Sequence, residues 1–243
     1  CEPCPTGYYQ DELKTLMMSL DKRSSCKECK EGRYLTETGG TRLEDCTECP
    51  KGKYQDLKGQ KSKDSCKSCS RGTYLDVTGG KARTDCIGCP VGRYGNRKGL
   101  VSSGDDMTLD ETTRCILCPT GYFMNDIGRE DLSTCKAASA GKYIEVVEST
   151  AVDKCPAGTY SKPAAARCTD CPAGFFQAQE SGTDCIPSTT GWYVTESGQS
   201  KQMPCPTGKY GQNSGIGCDL CPSGWYQDTQ ALMKCKIANP GYF

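Results

Sequence analysis

Along an otherwise polar chain, aromatic residues return at one fixed place in a short phrase. The element Gly-x-aromatic occurs thirteen times, with its ring at Tyr9, Tyr34, Tyr54, Tyr74, Tyr94, Phe123, Tyr143, Tyr160, Phe176, Tyr193, Tyr210, Tyr226 and Phe243. Ten of the thirteen tyrosines sit in that slot. The fullest form of the phrase, Cys-x-x-Cys-Pro-x-Gly-x-Tyr, stands at 1–9, 46–54, 86–94 and 218–226. Its Pro and Gly predict a turn, and the Gly-x-Tyr-x-x run predicts a short strand. A second turn follows at Thr38-Gly39-Gly40 or Thr78-Gly79-Gly80, and a second short strand is expected to reach the next cysteine. The result is a small hairpin, and one hairpin alone is marginal in water.

Self-similarity at a fixed period is the signature of a repeat array. With the second cysteine of the phrase as the start, repeats begin at Cys4, Cys29, Cys49, Cys69, Cys89, Cys118, Ala138, Cys155, Cys171, Ser188, Cys205, Cys221 and Ala238. Residues 1–137 step mostly by 20, with insertions near 10–25 and 96–114. Residues 138–243 form a 50-residue triple in which one repeat lacks cysteine. The sequence opens on Cys1 and stops inside a repeat at Gly241-Tyr242-Phe243, so a window of a longer chain is expected.

Composition changes the picture from a globule to a stapled array. Leu, Ile, Val and Phe make only 31 of 243 residues, too few for a core, and such chains are ordinarily disordered. Twenty-one cysteines supply cross-links instead and imply an oxidising, extracellular or cell-surface location. Where a repeat loses its opening cysteine, at Ala138 and Ser188, it also loses the closing one, at Val152 and Gln202. Cysteines that vanish together are partners. The pairing is therefore Cys4–Cys26, Cys29–Cys46, Cys49–Cys66, Cys69–Cys86, Cys89–Cys115, Cys118–Cys135, Cys155–Cys168, Cys171–Cys185, Cys205–Cys218 and Cys221–Cys235. Cys1 is left over, with a partner upstream or on another chain. A loop of about 15 residues closed this way gains on the order of 3 kcal/mol in the chain-entropy model. Each Tyr ring is expected to cover a neighbouring disulfide while its hydroxyl stays wet.

The phrase Cys-Pro-x-Gly-x-Tyr followed by Cys-x-x-Cys resembles the ephrin-receptor-like cysteine-rich repeat over the whole chain. The single-disulfide repeat is similar to the first module of tumour-necrosis-factor-receptor domains, and the array is similar to those of algal and protist surface and flagellar-hair proteins. The resemblance implies an elongated, extracellular, loop-rich ladder, in proteins that range from receptor ectodomains to repeat arrays. The chain departs from the receptor pattern, because the nested six-cysteine pairing is absent. The fold class expected is small, disulfide-rich and mainly β or irregular, a solenoid-like rod of stacked, disulfide-pinned hairpins.

Candidate chemistry is sparse. Cys26-x-x-Cys29 and Cys46-x-x-Cys49 match zinc-ribbon spacing, but a four-thiolate site leaves Cys135 and Cys155 solitary. Histidine is absent, which removes the commonest general base. Asp105-Asp106 and Asp110-Glu111 read as a solvated loop without EF-hand spacing. No catalytic residue, metal site or cofactor is expected, and the protein is not expected to be an enzyme. Lys plus Arg equals Asp plus Glu at 30 each, so nothing attracts nucleic acid, and no apolar run inserts in a membrane.

The expected partners are other protein chains, through self-association. The insertions carry unusual apolar content: Leu13, Leu16, Met17, Met18 and Leu20 in the first, and Leu100, Val101, Met107 and Leu109 in the second. These residues either fold back on neighbouring hairpins or meet another chain. No Asn-x-Ser/Thr sequon occurs, so any glycan is O-linked, with Ser188, Thr189 and Thr190 the candidate patch. A structural segment of an extracellular filament is the function expected, with a receptor-like ectodomain binding a protein ligand as the alternative.

Overall fold

The computed structural model describes residues 2–10, 26–105, 108–146, 150–211, 215–239 and 241. Cys1, Leu13, Leu16, Met17, Met18, Leu20 and Met107 lie outside them. Among the described residues there is no α-helix, and twelve two-stranded antiparallel sheets carry the fold.

One repeat shows how the phrase folds. The Lys53 N–H donates to Pro50 O at 3.2 Å, and Gly52, third in that turn, has φ +77°. A positive φ there is the requirement of a type II turn, which glycine meets without steric cost. Lys53–Tyr54 then pairs with Lys67–Ser68, the two residues between Cys66 and Cys69. The second strand thus lies beyond the closing cysteine, and not before it as the sequence suggests. The approach to the cysteine is a 3-10 turn, Lys63–Ser65, because side-chain oxygens capture its backbone donors. Ser62 Oγ accepts from Asp64 N–H at 3.1 Å. In the preceding repeat the Asp45 carboxylate accepts from Thr41 N–H at 2.7 Å and Arg42 N–H at 3.2 Å. Such local bonds compete with strand pairing, and the Thr41 bond foremost holds the Asp45 carboxyl below its usual range.

Ten disulfides close the repeats, from Cys4–Cys26 to Cys221–Cys235, each joining the second cysteine of one repeat to the first of the next phrase. The loops they close span 13 to 26 residues. Non-reducing peptide mapping should recover these ten pairs and no bond inside a Cys-x-x-Cys.

The chain divides into two compact regions, Cys1–Cys118 with Met124–Cys135 and Pro119–Phe123 with Lys136–Phe243. Within the first, consecutive repeats are joined by four backbone hydrogen bonds. Between the repeats that open at Cys49 and Cys69 these are Gly52 N to Leu75 O, 2.8 Å; Gln55 N to Gly80 O, 2.9 Å; Cys69 N to Gly52 O, 2.9 Å; and Gly79 N to Cys49 O, 2.8 Å. The second region repeats the joint, with Gly158 N to Gln177 O, Ser161 N to Gly182 O, Cys171 N to Gly158 O and Ser181 N to Cys155 O. Repeats also meet their second neighbours. A Cβ on Gly52 would lie 2.2 Å from Gly99 O, two repeats along, so glycine serves close approach as well as the turn.

Most repeats have their own small buried plug in place of a shared core. The residue after most of the aromatics is buried, as at Leu35, Gln55, Leu75, Met124, Ile144, Ser161, Gln177, Val194 and Gln227, whereas Gln10 is exposed. Leu35 packs with Tyr9 and the Cys29–Cys46 disulfide of its own repeat, so the Tyr9 ring covers the next repeat's bond. Where the plug is glutamine, its amide donates to the carbonyl just before the closing cysteine. Gln55 donates to Ser65 O, and Gln177 to Asp184 O at 2.7 Å, which satisfies a polar group in a buried place.

Candidate interaction surface

The second insertion does not offer a free apolar loop. Leu100 is fully buried, packed with Cys89, Cys115 and Tyr74. Its role is compensation. In regular repeats the plug leans on a glycine five residues later: a Cβ on Gly40 would lie 2.7 Å from Leu35 Cδ2, and one on Gly80 2.6 Å from Leu75 Cδ2. In this repeat the order is reversed, for the plug is Gly95 and Leu100 fills its place, with Cδ1 2.7 Å from a Cβ built on Gly95. Leu100 therefore cannot be an interface residue.

Further described residues of the insertion are tied to their own repeat. Val101 N–H donates to Thr113 O at 2.7 Å, Cys115 N–H donates to Ser102 O at 3.1 Å, and Arg114 donates to Gly104 O at 3.3 Å. Arg93, also buried, reaches Asp105 at 3.4 Å. Val101 and Leu109 are half-buried. This insertion folds back, the other of the two fates open to it.

The candidate glycan residues are engaged as well. Ser188 Oγ donates to Gly215 O at 3.2 Å, Thr189 Oγ1 to Gln202 Oε1 at 3.2 Å and Thr190 Oγ1 to Met233 Sδ at 2.8 Å. Gln202 Oε1 also accepts from Thr189 N–H at 2.8 Å, so an amide bridges the place where other repeats carry a disulfide. Among the described residues no group of three or more His, Cys, Asp or Glu is placed to hold a metal ion.

What the sequence pattern did not single out is a change of chemistry at one cross-strand position. In the first region the residue between Gly and the aromatic mostly faces a polar or small partner: Tyr8 opposite Glu28, Arg33 opposite Glu48, an ion pair at 2.6 Å, Lys53 opposite Ser68, and Thr73 opposite Gly88, with Arg93 opposite Leu117 the exception. The second region is still polar at Lys142 opposite Lys154 and Thr159 opposite Asp170, and the same register then holds Phe175 opposite Pro187, Trp192 opposite Pro204 and Trp225 opposite Ile237, with Lys209 opposite Leu220 between them. Phe175, Ile186, Met203, Leu220, Trp225 and Ile237 are all exposed. From Phe175 onward the hairpins thus carry apolar side chains at a register that is mostly polar before it, while the first region exposes single apolar residues such as Ile87 and Ile127, and exposed apolar side chains mark contact surfaces. The signal was present in the Gly-x-aromatic slot, where x is mainly Arg, Lys or Thr up to Thr159 and then becomes Phe175, Trp192 and Trp225, with Lys209 among them.

Charge around the hairpins is local. Lys67 meets Asp56 at 2.6 Å and Lys236 meets Asp228 at 2.7 Å. In each pair the side-chain hydrogen bond foremost lowers the carboxyl and raises the ammonium. Solvent-exposed pairs of this kind contribute little to stability. Tyr8 donates to Glu28 at 3.2 Å, and that bond foremost raises its phenol.

A human protein, Signal peptide, CUB and EGF-like domain-containing protein 2, is 32% identical over 78 residues, covering 30% of this chain and 8% of that protein. The chain therefore matches a small part of that relative's length. The family model described as tyrosine-protein kinase ephrin type A/B receptor-like matches residues 1–46, 37–86 and 158–205. Those segments cover more than half of the sequence and hold the glycine, the aromatic and the cysteines that build each hairpin, and the chain belongs to that ephrin type A/B receptor-like family.

Proposed function

We propose that this extracellular, cysteine-rich chain is a structural repeat segment of a cell-surface or extracellular filament, and that it works by protein contact and self-association, not by catalysis. The observation that supports the reading is the set of exposed apolar side chains on the hairpins from Phe175 onward, at a register that is mostly polar before it. Burying one such side chain is worth about 1.5 to 3 kcal/mol, and an array multiplies a weak contact along its length. The first insertion, with Leu16, Met17, Met18 and Leu20, is a second candidate contact.

Sedimentation and electron microscopy of the oxidised chain test the proposal. Replacing Phe175, Ile186 and Met203 with Ser should leave the disulfide map unchanged and abolish lateral association. Replacing Leu16 and Met17 with Ser tests the first insertion separately. Assembly equal to the parent's in both variants would remove self-association. Capture of one soluble protein at one-to-one stoichiometry would favour the alternative, a receptor-like ectodomain.

A further inference from the structure

We infer that the two cysteine-free repeats are extensible links: under tension they unravel and lengthen the chain while the ten pinned repeats stay closed, and they refold on release. The inference stands on covalent topology and holds for a filament or a receptor alike.

Tension runs along the shortest covalent path. In a pinned repeat that path crosses the disulfide, where the Cα atoms are 5.6 to 5.9 Å apart, so the loop, whose cysteines are separated by 13 to 26 positions in sequence, carries no load. From Cys135 to Cys155 and from Cys185 to Cys205 no bond intervenes, and all 20 residues of each segment lie in the path. Fully drawn out at about 3.5 Å per residue, each reaches about 70 Å.

Only non-covalent contacts hold these segments folded. In the repeat opening at Ser188 they are the two-residue pairing of Trp192–Tyr193 with Met203–Pro204, the Gln202 bridge to Thr189, and backbone bonds to adjoining repeats such as Ser188 N to Gly174 O and Cys205 N to Gly191 O, both 2.8 Å. A paired strand this short is marginal without support. The flanking repeats, closed by Cys171–Cys185 and Cys205–Cys218, keep their shape and offer the same backbone groups when load falls, so the link can reform.

The test is force spectroscopy on the full chain, held by its two ends in non-reducing buffer. Two long lengthening events are expected, and they should recur over repeated pulls. Installing a staple with Ser188→Cys and Gln202→Cys leaves six residues and one disulfide in the path, so the matching event should shorten by about 40 Å. In the opposite direction, Cys171→Ala with Cys185→Ala returns 14 residues to the path and should add about 40 Å. Long events absent from the parent, more than two of them, or a total extension unchanged in both variants would overturn the inference.

Discussion

Gly52→Ala is expected to destabilise the first region by roughly 3 kcal/mol or more, through two separate costs. The backbone is left-handed there, φ +77°, which an L side chain adopts at about 1–2 kcal/mol. The new Cβ would also lie 2.2 Å from Gly99 O and 2.7 Å from Gly99 C. That carbonyl cannot swing away freely, because Gly99 N–H donates to Cys69 O at 2.9 Å, and overpacking of this kind typically costs about 1–3 kcal/mol. Gly208 separates the terms: its φ is also +77°, yet no atom lies within 4 Å of its Cβ position. Gly208→Ala should therefore show the backbone term alone. Guanidinium unfolding of both variants in non-reducing buffer decides it, and equal midpoint shifts would show that second-neighbour contact contributes nothing.

Leu100→Ala is expected to cost about 2–5 kcal/mol, the range for emptying a buried leucine site. Were Leu100 an exposed loop residue, the same change would fall within about 0.5 kcal/mol. The compensation with Gly95 makes a sharper test. Gly95→Leu alone should destabilise, since its Cβ would lie 2.7 Å from Leu100 Cδ1. Combining Gly95→Leu with Leu100→Gly removes that contact, as in the pairs Leu35 with Gly40 and Leu75 with Gly80, and leaves the new Cβ 2.9 Å from Gly72 N and 3.0 Å from Cys89 Sγ, so recovery should be partial. The double variant should recover a substantial part of the loss, and a double-mutant cycle reads the coupling directly. Additive losses would refute the exchange of roles.

These two residues also mark the boundary of what is legible in the amino-acid sequence. The pairing of cysteines follows from Ala138 with Val152 and Ser188 with Gln202, because a lost cysteine shows itself against a strong repeat. The first strand is equally plain, since Gly and Tyr frame it. The second strand is hidden because two residues, such as Lys67 and Ser68, are too short to display a period. The plug escapes notice because burial there tolerates Leu, Gln, Met, Ser and even Gly, completed by a partner five residues on at Leu35 and Leu75, by the turn ahead of the cysteine at Gln55, and by Lys142 O of the preceding repeat at Ser161. Leu100 reads as surplus for that reason: only the fold reveals that Gly95 left room for it. The apolar row was visible as Phe175, Trp192 and Trp225, yet without the register of the hairpins nothing distinguishes an exposed ring from a buried one.

The joint between repeats is written almost wholly in backbone groups. The four bonds that join the repeats at Cys49 and Cys69 recur between those at Cys155 and Cys171, although the closed loops differ in length, 17 residues against 13 and 14. A joint that fixes only the glycine, the aromatic ring and the disulfide it covers lets any repeat that carries them follow any other. Duplication or deletion of one copy would need no matching change in its neighbours beyond these, so an array of this kind can change its length in a single genetic step, and the outward positions can diverge from copy to copy with the scaffold untouched.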